Sequence, residues 1–209
     1  MIELKDGFLT FGEKQLFGNL SFSVGDGEIV GVAGGKGCGK TALLMVMLGL
    51  IPLDKGYVCV NGEAVTAATA GMFRKMMAYV PQDRNMCGIR VSDLFDILFG
   101  LKSHDETEYT RKRLFAEWKE LQLDMSLFEQ STDSLEPSEL QRALLSGARL
   151  ADRSVVLLDE PLSDQNAEQS DFVVSCLRRM SGRGASVLLT MSDDRLLAVC
   201  DKIVILDDL

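Results

Sequence analysis

Gly34-Gly35-Lys36-Gly37-Cys38-Gly39-Lys40-Thr41 is the stretch whose residue types and spacing could do chemistry most directly. It fits G-x-x-x-x-G-K-[ST], a loop that wraps a polyphosphate. Its glycines let the backbone fold so that successive N–H groups point at phosphate oxygens, and the helix that follows adds the positive end of its dipole. Lys40 would bridge the β- and γ-phosphates, and Thr41 would offer its hydroxyl to Mg²⁺. The whole loop, with Ala42 after it, forms the candidate nucleotide-binding set. Cys38 falls at the helix start between Lys36 and Lys40, a setting that favours thiolate, so it is expected to be a reactive thiol that nucleotide protects.

A second chemical pair is Asp159-Glu160, which ends the apolar run Val155-Val156-Leu157-Leu158. In open α/β sheets ligands gather at the carboxyl ends of strands. There one acid can hold Mg²⁺, and its neighbour can orient or deprotonate an attacking water.

These groups need elements to position them. Glu28–Ala33 reads as a buried strand, and Ala42–Leu48 as a helix ending at Gly49. Residues 2–10 and 15–24 read as strands around the turn Phe11-Gly12-Glu13-Lys14. Residues 51–56 read as a turn, 57–60 as a strand ending at Asn61-Gly62, and 77–80 as a strand stopped by Pro81. From about 92 to 150 the pattern is helical: Leu94, Phe95, Leu98 and Phe99 recur at helix spacing, as do Leu114, Trp118 and Leu121, and these read as core of a small lobe. A strand over 154–159, a helix over 167–180 and strands over 186–190 and 202–206 complete an alternating α/β pattern with a mostly parallel sheet.

Composition narrows the function classes. The 209 residues suit one compact domain with an appended lobe, and 46% hydrophobic content is ordinary for a globular chain. No run is long enough for a membrane span and no signal peptide is visible, so a cytoplasmic location is expected. A net charge of −9 argues against nucleic acid as a partner. The five cysteines, Cys38, Cys59, Cys87, Cys176 and Cys200, never fall in C-x-x-C spacing, which fits reduced thiols. His104 is the sole histidine, so neither a Ser-His-Asp triad nor a histidine metal cluster can be built.

The motifs taken in order resemble the ATP-binding cassette family, the motor subunits of ABC transporters, along nearly the whole chain. Leu157-Leu158-Asp159-Glu160-Pro161 resembles the Walker B strand with its catalytic glutamate. Tyr79-Val80-Pro81-Gln82 resembles the Q-loop, whose glutamine reaches Mg²⁺ and senses the membrane subunit. Phe11 stands at the place of the aromatic that stacks on adenine. Val91-Ser92-Asp93-Leu94 is similar to the start of the helical lobe, and Cys200–Leu206 to the last core strand. The resemblance implies a P-loop NTPase core, an N-terminal antiparallel β subdomain and a helical lobe inserted at about 84–150, all in one domain over 1–209. It implies ATP and Mg²⁺ as cofactors, Lys40 and Glu160 as catalytic residues, and Thr41, Gln82 and Asp159 at the metal. A transmembrane subunit, docked near 82–100, and a second cassette are the implied partners, with the chain peripheral on the inner face of the membrane.

Several positions depart from the family pattern. The family signature is Leu-Ser-Gly-Gly-Gln; at its spacing from Asp159 stands Leu135-Glu136-Pro137-Ser138-Glu139, followed by Gln141-Arg142. Leu145-Ser146-Gly147 looks closer to it but lies too near Asp159 and reads as helix. Glu136 and Glu139 would bring negative charge toward a polyphosphate on an opposing subunit, at about 4 kcal/mol per charge pair at 4 Å and an effective dielectric near 20. Met191 takes the place of the switch histidine, and Asn166 that of the usual D-loop aspartate. A motor subunit with weak or partner-dependent hydrolysis is therefore expected, in a heteromer more readily than a homodimer. A non-hydrolysing ATP-binding subunit and a cassette ATPase outside transport are the alternatives.

Overall fold

In a computed structural model of the chain, which describes residues 1–83, 86, 88–100 and 111–206, the apolar runs assemble into two sheets. The elements in order are β1 (Ile2–Phe11), β2 (Lys14–Val24), β3 (Ile29–Gly34), α1 (Lys40–Met47), β4 (Lys55–Val60), β5 (Glu63–Ala64), α2 (Ala70–Arg74) and β6 (Met77–Val80). They continue as α3 (Val91–Gly100), α4 (Arg111–Glu120), α5 (Pro137–Leu150), β7 (Val155–Leu158), α6 (Ala167–Gly182), β8 (Ser186–Met191) and β9 (Lys202–Leu206).

The larger sheet runs β6-β7-β8-β3-β9, and all its pairings are parallel. Its inner strands β7, β8 and β3 are apolar runs because both faces are covered, whereas the edge strand β9 leaves Ile203 and Ile205 exposed. Side chains alternate across a strand, so Val155 and Leu157 enter one core with α1 and the second sheet. Val156 and Leu158 enter the other, with α5 and α6. The smaller sheet, β2-β1-β4-β5, is antiparallel. It takes β4 from beyond α1, and the strand begins at Lys55 inside the stretch read as a turn. Gly56 allows this: its φ of +84° suits glycine, and an added Cβ would meet the Asp6 carbonyl at 2.4 Å.

The helical stretch contains α3, α4 and α5. Trp118 is fully buried, its indole N–H donates to Ser146 Oγ at 3.0 Å, and Phe95 and Phe128 pack edge-on around it. Ser146 and Gly147 lie within α5, where Gly147 lets Phe95 approach; a Cβ there would sit 3.3 Å from its ring. The resemblance of that stretch to a signature is thus a packing feature. Cys87, His104 and part of the expected groove near 82–100 lie outside the described residues. Among the described residues no helix is long and apolar enough to cross a membrane.

Candidate functional site

The parallel register brings the carboxyl ends of β3, β7 and β8 side by side, with Leu158 opposite Leu189 and Ala33 opposite Met191. The loop after β3 turns through Gly37 and Gly39, whose φ values of +81° and +105° favour glycine. Gly39 caps α1 without any side-chain hydrogen bond, leaving the helix's positive end to face a ligand. A pocket of about 560 Å³ opens over this end.

Phe11, Leu16, Gly35, Lys36, Gly37, Gly39, Lys40, Thr41, Ala42, Gln82, Asp159, Glu160 and Ser192 line it. Phe11 is 80% exposed at the tip of the β1–β2 hairpin, an uncovered ring at the pocket edge. Gly34 and Cys38, both expected in the nucleotide set, take no part in the lining. The Cys38 thiol instead turns inward, 1% exposed, into the core beneath the loop. Gly34 makes room for it, since a Cβ at Gly34 would lie 2.5 Å from the Cys38 sulfur. The expected reactive thiol is therefore corrected to a buried one, though its backbone remains in the loop.

Behind the pocket the acids are fixed by hydroxyls. Thr41 Oγ1 donates to Asp159 Oδ2 at 2.7 Å, and Thr190 Oγ1 donates to Asp159 Oδ1 at 2.6 Å. Thr190 Oγ1 also accepts the Glu160 N–H at 2.9 Å, and the Glu160 carbonyl accepts from Gln141 Nε2 at 3.1 Å. Those contacts hold Glu160 at φ +47°, a left-handed conformation that costs a non-glycine residue about 1–3 kcal/mol. Burial first, and the charge of Asp159 second, push the Tyr79 phenol far above its ordinary range.

Lys40 Nζ donates to the carbonyls of Gly34 at 2.5 Å and Gly35 at 3.1 Å, and pairs with Glu160 Oε1 at 3.2 Å. Three contacts match an ammonium's three protons. Glu160 Oε2 accepts from the Ser192 N–H and hydroxyl, each at 3.0 Å. Ser192 and Leu16 were not found by sequence reasoning. The signal for Ser192 was available, because it follows the carboxyl end of a third central strand.

Among the described residues no cluster of three or more His, Cys, Asp or Glu side chains could hold a metal. The oxygens of Thr41, Asp159 and Gln82 nevertheless fit Mg²⁺, which takes one or two carboxylates and completes its shell with phosphate and water.

The departing positions have structural explanations. Met191 is 2% exposed in the core, beside Gly31. Asn166 caps α6, accepting the Gln169 N–H at 2.9 Å while Gln169 Oε1 accepts the Asn166 N–H at 3.0 Å. Asn caps a helix about as well as Asp. Glu139 Oε2 accepts the Glu136 N–H at 2.9 Å, so its charge bends back onto the start of α5; Glu136 is exposed.

A sequence model of the ABC transporter family matches residues 17–163. A sulfate/thiosulfate import ATP-binding protein of Methylococcus capsulatus is 30% identical over 99% of this chain and 60% of its own length. ATP-binding protein SyrD of Pseudomonas syringae is 29% identical over 99% of this chain and 37% of its own length. A Nod factor export ATP-binding protein of Sinorhizobium fredii is likewise 29% identical, and this chain spans 60% of it. The chain thus spans between 37% and 60% of these curated relatives. Among solved structures, an ATP-binding subunit of an ABC transporter superposes with a TM-score of 0.88 at 21% identity, over 99% of this chain and 85% of the other. A dimeric bacterial ABC transporter cassette superposes with a TM-score of 0.87 at 20% identity, over 100% and 95%. The fold is that of a P-loop NTPase core with an antiparallel β sheet.

Proposed function

The chain belongs to the ABC transporter family, and from that premise we propose that it binds Mg-ATP as a transporter's nucleotide-binding subunit, with weak or partner-dependent hydrolysis. The observation that carries the reading is the contact between Thr41 and Asp159. It joins the phosphate loop to the acidic strand end at 2.7 Å beneath the pocket.

In this reading Lys40 leaves Glu160 and balances phosphate charge, helped by the backbone N–H groups at the start of α1. Phe11 offers its exposed ring to the base. Thr41, Asp159 and Gln82 would hold Mg²⁺, which supplies further charge neutralisation on the phosphates. Glu160 orients a water and takes its proton as that water attacks the γ-phosphorus. The bond from phosphorus to the bridging oxygen breaks, giving ADP and inorganic phosphate.

Turnover is expected to be slow. Lys40 and Glu160 neutralise one another at 3.2 Å and must separate first. Position 191 carries a buried thioether without proton chemistry. The start of α5 presents Glu136 and a self-capped Glu139 to any opposing subunit. A second cassette with an intact signature would complete the site on Lys40 and Glu160, which favours a heteromer over a homodimer. A transmembrane subunit would hold the pair at the inner face of the membrane. One domain over 1–209, with the helical lobe inserted at about 84–150, fits this role. The self-capping of Glu139 also favours a second reading, an ATP-binding subunit that does not hydrolyse.

Calorimetry and steady-state hydrolysis test both readings. Mg-ATP binding is expected, strongly weakened in Lys40→Ala; unchanged affinity in that variant would refute the phosphate loop. Hydrolysis by the chain alone should fall well below roughly 1 s⁻¹, the low end for typical enzymes. Robust turnover that disappears in Glu160→Gln would remove the partner requirement, whereas none even with a partner cassette would favour the second reading.

A further inference from the structure

We propose that Ser192 is the positioning residue that keeps the Glu160 carboxylate in place once Lys40 turns to a nucleotide. The inference rests on Glu160 acting on water, as described above.

The two oxygens of Glu160 have different partners. Oε1 faces Lys40 at 3.2 Å, and Oε2 receives both donors of Ser192 at 3.0 Å. Lys40 has three protons, all in contacts already, so any bond to a phosphate oxygen must replace one of them. Without Ser192, no other hydrogen bond or ion pair among the described residues would choose the rotamer of the Glu160 carboxylate once Lys40 leaves it. Ser192 supplies that choice. Its main chain is fixed by the end of β8, and a backbone N–H and a hydroxyl converge on one oxygen.

The division of labour leaves the other oxygen available. With Oε2 held, Oε1 is the atom uncovered when Lys40 departs, and Glu160 lines the pocket. The Glu160 backbone is fixed independently by Thr190 and Gln141, so Ser192 has only the carboxylate to hold. Met191 cannot share the task, because its thioether is buried and donates nothing. The hydroxyl next along the chain is the group that reaches the acid.

The test uses the full chain and reads the Ser192 amide by ¹⁵N NMR, with and without a magnesium-loaded non-hydrolysable ATP analogue. A bond to carboxylate displaces that resonance downfield, and Glu160→Ala provides the position without the bond. The resonance is expected to stay downfield at saturation. Movement to the Glu160→Ala position would overturn the proposal, whatever the chain's turnover. In the assembled complex, Ser192→Ala is expected to lower kcat roughly tenfold with KM little changed, since one of two donors to a charged group is lost. Ser192→Thr, which keeps the hydroxyl, should restore it. Unchanged kcat in Ser192→Ala, beside a Glu160→Gln variant that is dead, would also overturn it. If Glu160→Gln hydrolyses normally, the role of Glu160 fails, and the amide resonance still decides whether Ser192 holds the carboxylate.

Discussion

Replacing Lys40 by Met should destabilise the nucleotide-free protein as well as its ligand complex. The two side chains of the Lys40–Glu160 pair are 8% and 9% exposed and 3.2 Å apart. At an effective dielectric of about 20 their attraction is on the order of 5 kcal/mol. Breaking a buried pair from one side typically costs about 3–5 kcal/mol, because the remaining charge is left uncompensated. Here Ser192 keeps two donors on Glu160, which places the expected cost near the lower figure, about 3 kcal/mol. For a chain of this size that corresponds to a fall in Tm of roughly 6–12 °C. The carbonyls of Gly34 and Gly35 lose a donor as well, but that loss is common to Lys40→Met and to Lys40→Met/Glu160→Gln. The double variant carries no stranded charge and should recover most of the loss. Urea unfolding of the four proteins, nucleotide-free, gives the coupling directly. A cost below about 1 kcal/mol in Lys40→Met, or strict additivity in the cycle, would refute the buried pair as a component of the resting site.

Two further outcomes follow from buried groups elsewhere. Burial pushes the Cys176 thiol up to about 12; burial, then the charge of Asp201, push Cys200 up to about 11, while Cys38 and Cys59 are buried. A raised thiol pKa disfavours thiolate, so at pH 8 Cys200 is ionised on the order of one part in a thousand and its alkylation should quicken as pH rises. Peptide mapping should show slow labelling at all four, and rapid labelling of Cys38 suppressed by Mg-ATP would restore the exposed thiol expected from sequence. Arg149 on α5, 6% exposed, contacts Glu117 at 2.6 Å and Glu120 at 3.0 Å on α4. Burial raises the Glu117 carboxyl and Arg149 opposes that rise, so Arg149→Met should cost about 3 kcal/mol at neutral pH. The penalty should shrink as pH falls, since the stranded acid then takes up a proton. Unfolding followed by fluorescence of Trp118, the one tryptophan, measures it, and a cost under about 1 kcal/mol would refute it.

What could be read in advance was whatever a short window of residues encodes. The strand, glycine loop and helix around Lys40, the apolar run before Asp159 and the helix spacing of Leu114 and Trp118 are local patterns, and the elements formed close to where they were expected. The α1 helix starts at Lys40, two residues before the periodic stretch, because Gly39 can turn the chain left-handed there. The strand at Lys55 was hidden for a similar reason: Asp54-Lys55-Gly56 carries turn residues, and only pairing with β1 draws Lys55 and Gly56 into a sheet.

The sequence by itself determined which groups are available for chemistry: a loop of the phosphate-binding pattern, a strand-end acid pair and the alternation that builds a parallel sheet between helices. Tertiary structure decided which groups touch. Thr41 meets Asp159 across 118 residues, and Ser192 meets Glu160 across 32, because β7, β8 and β3 lie side by side. That order comes from how the crossovers pack against both faces of the sheet, and no stretch of sequence records it. The direction of a side chain within a loop is equally non-local. Cys38 turns inward because Gly34 leaves a space below it, and Glu139 turns back because the start of α5 offers it an N–H. Residue type told what each group could do, and the packing of distant strands decided what it does it to.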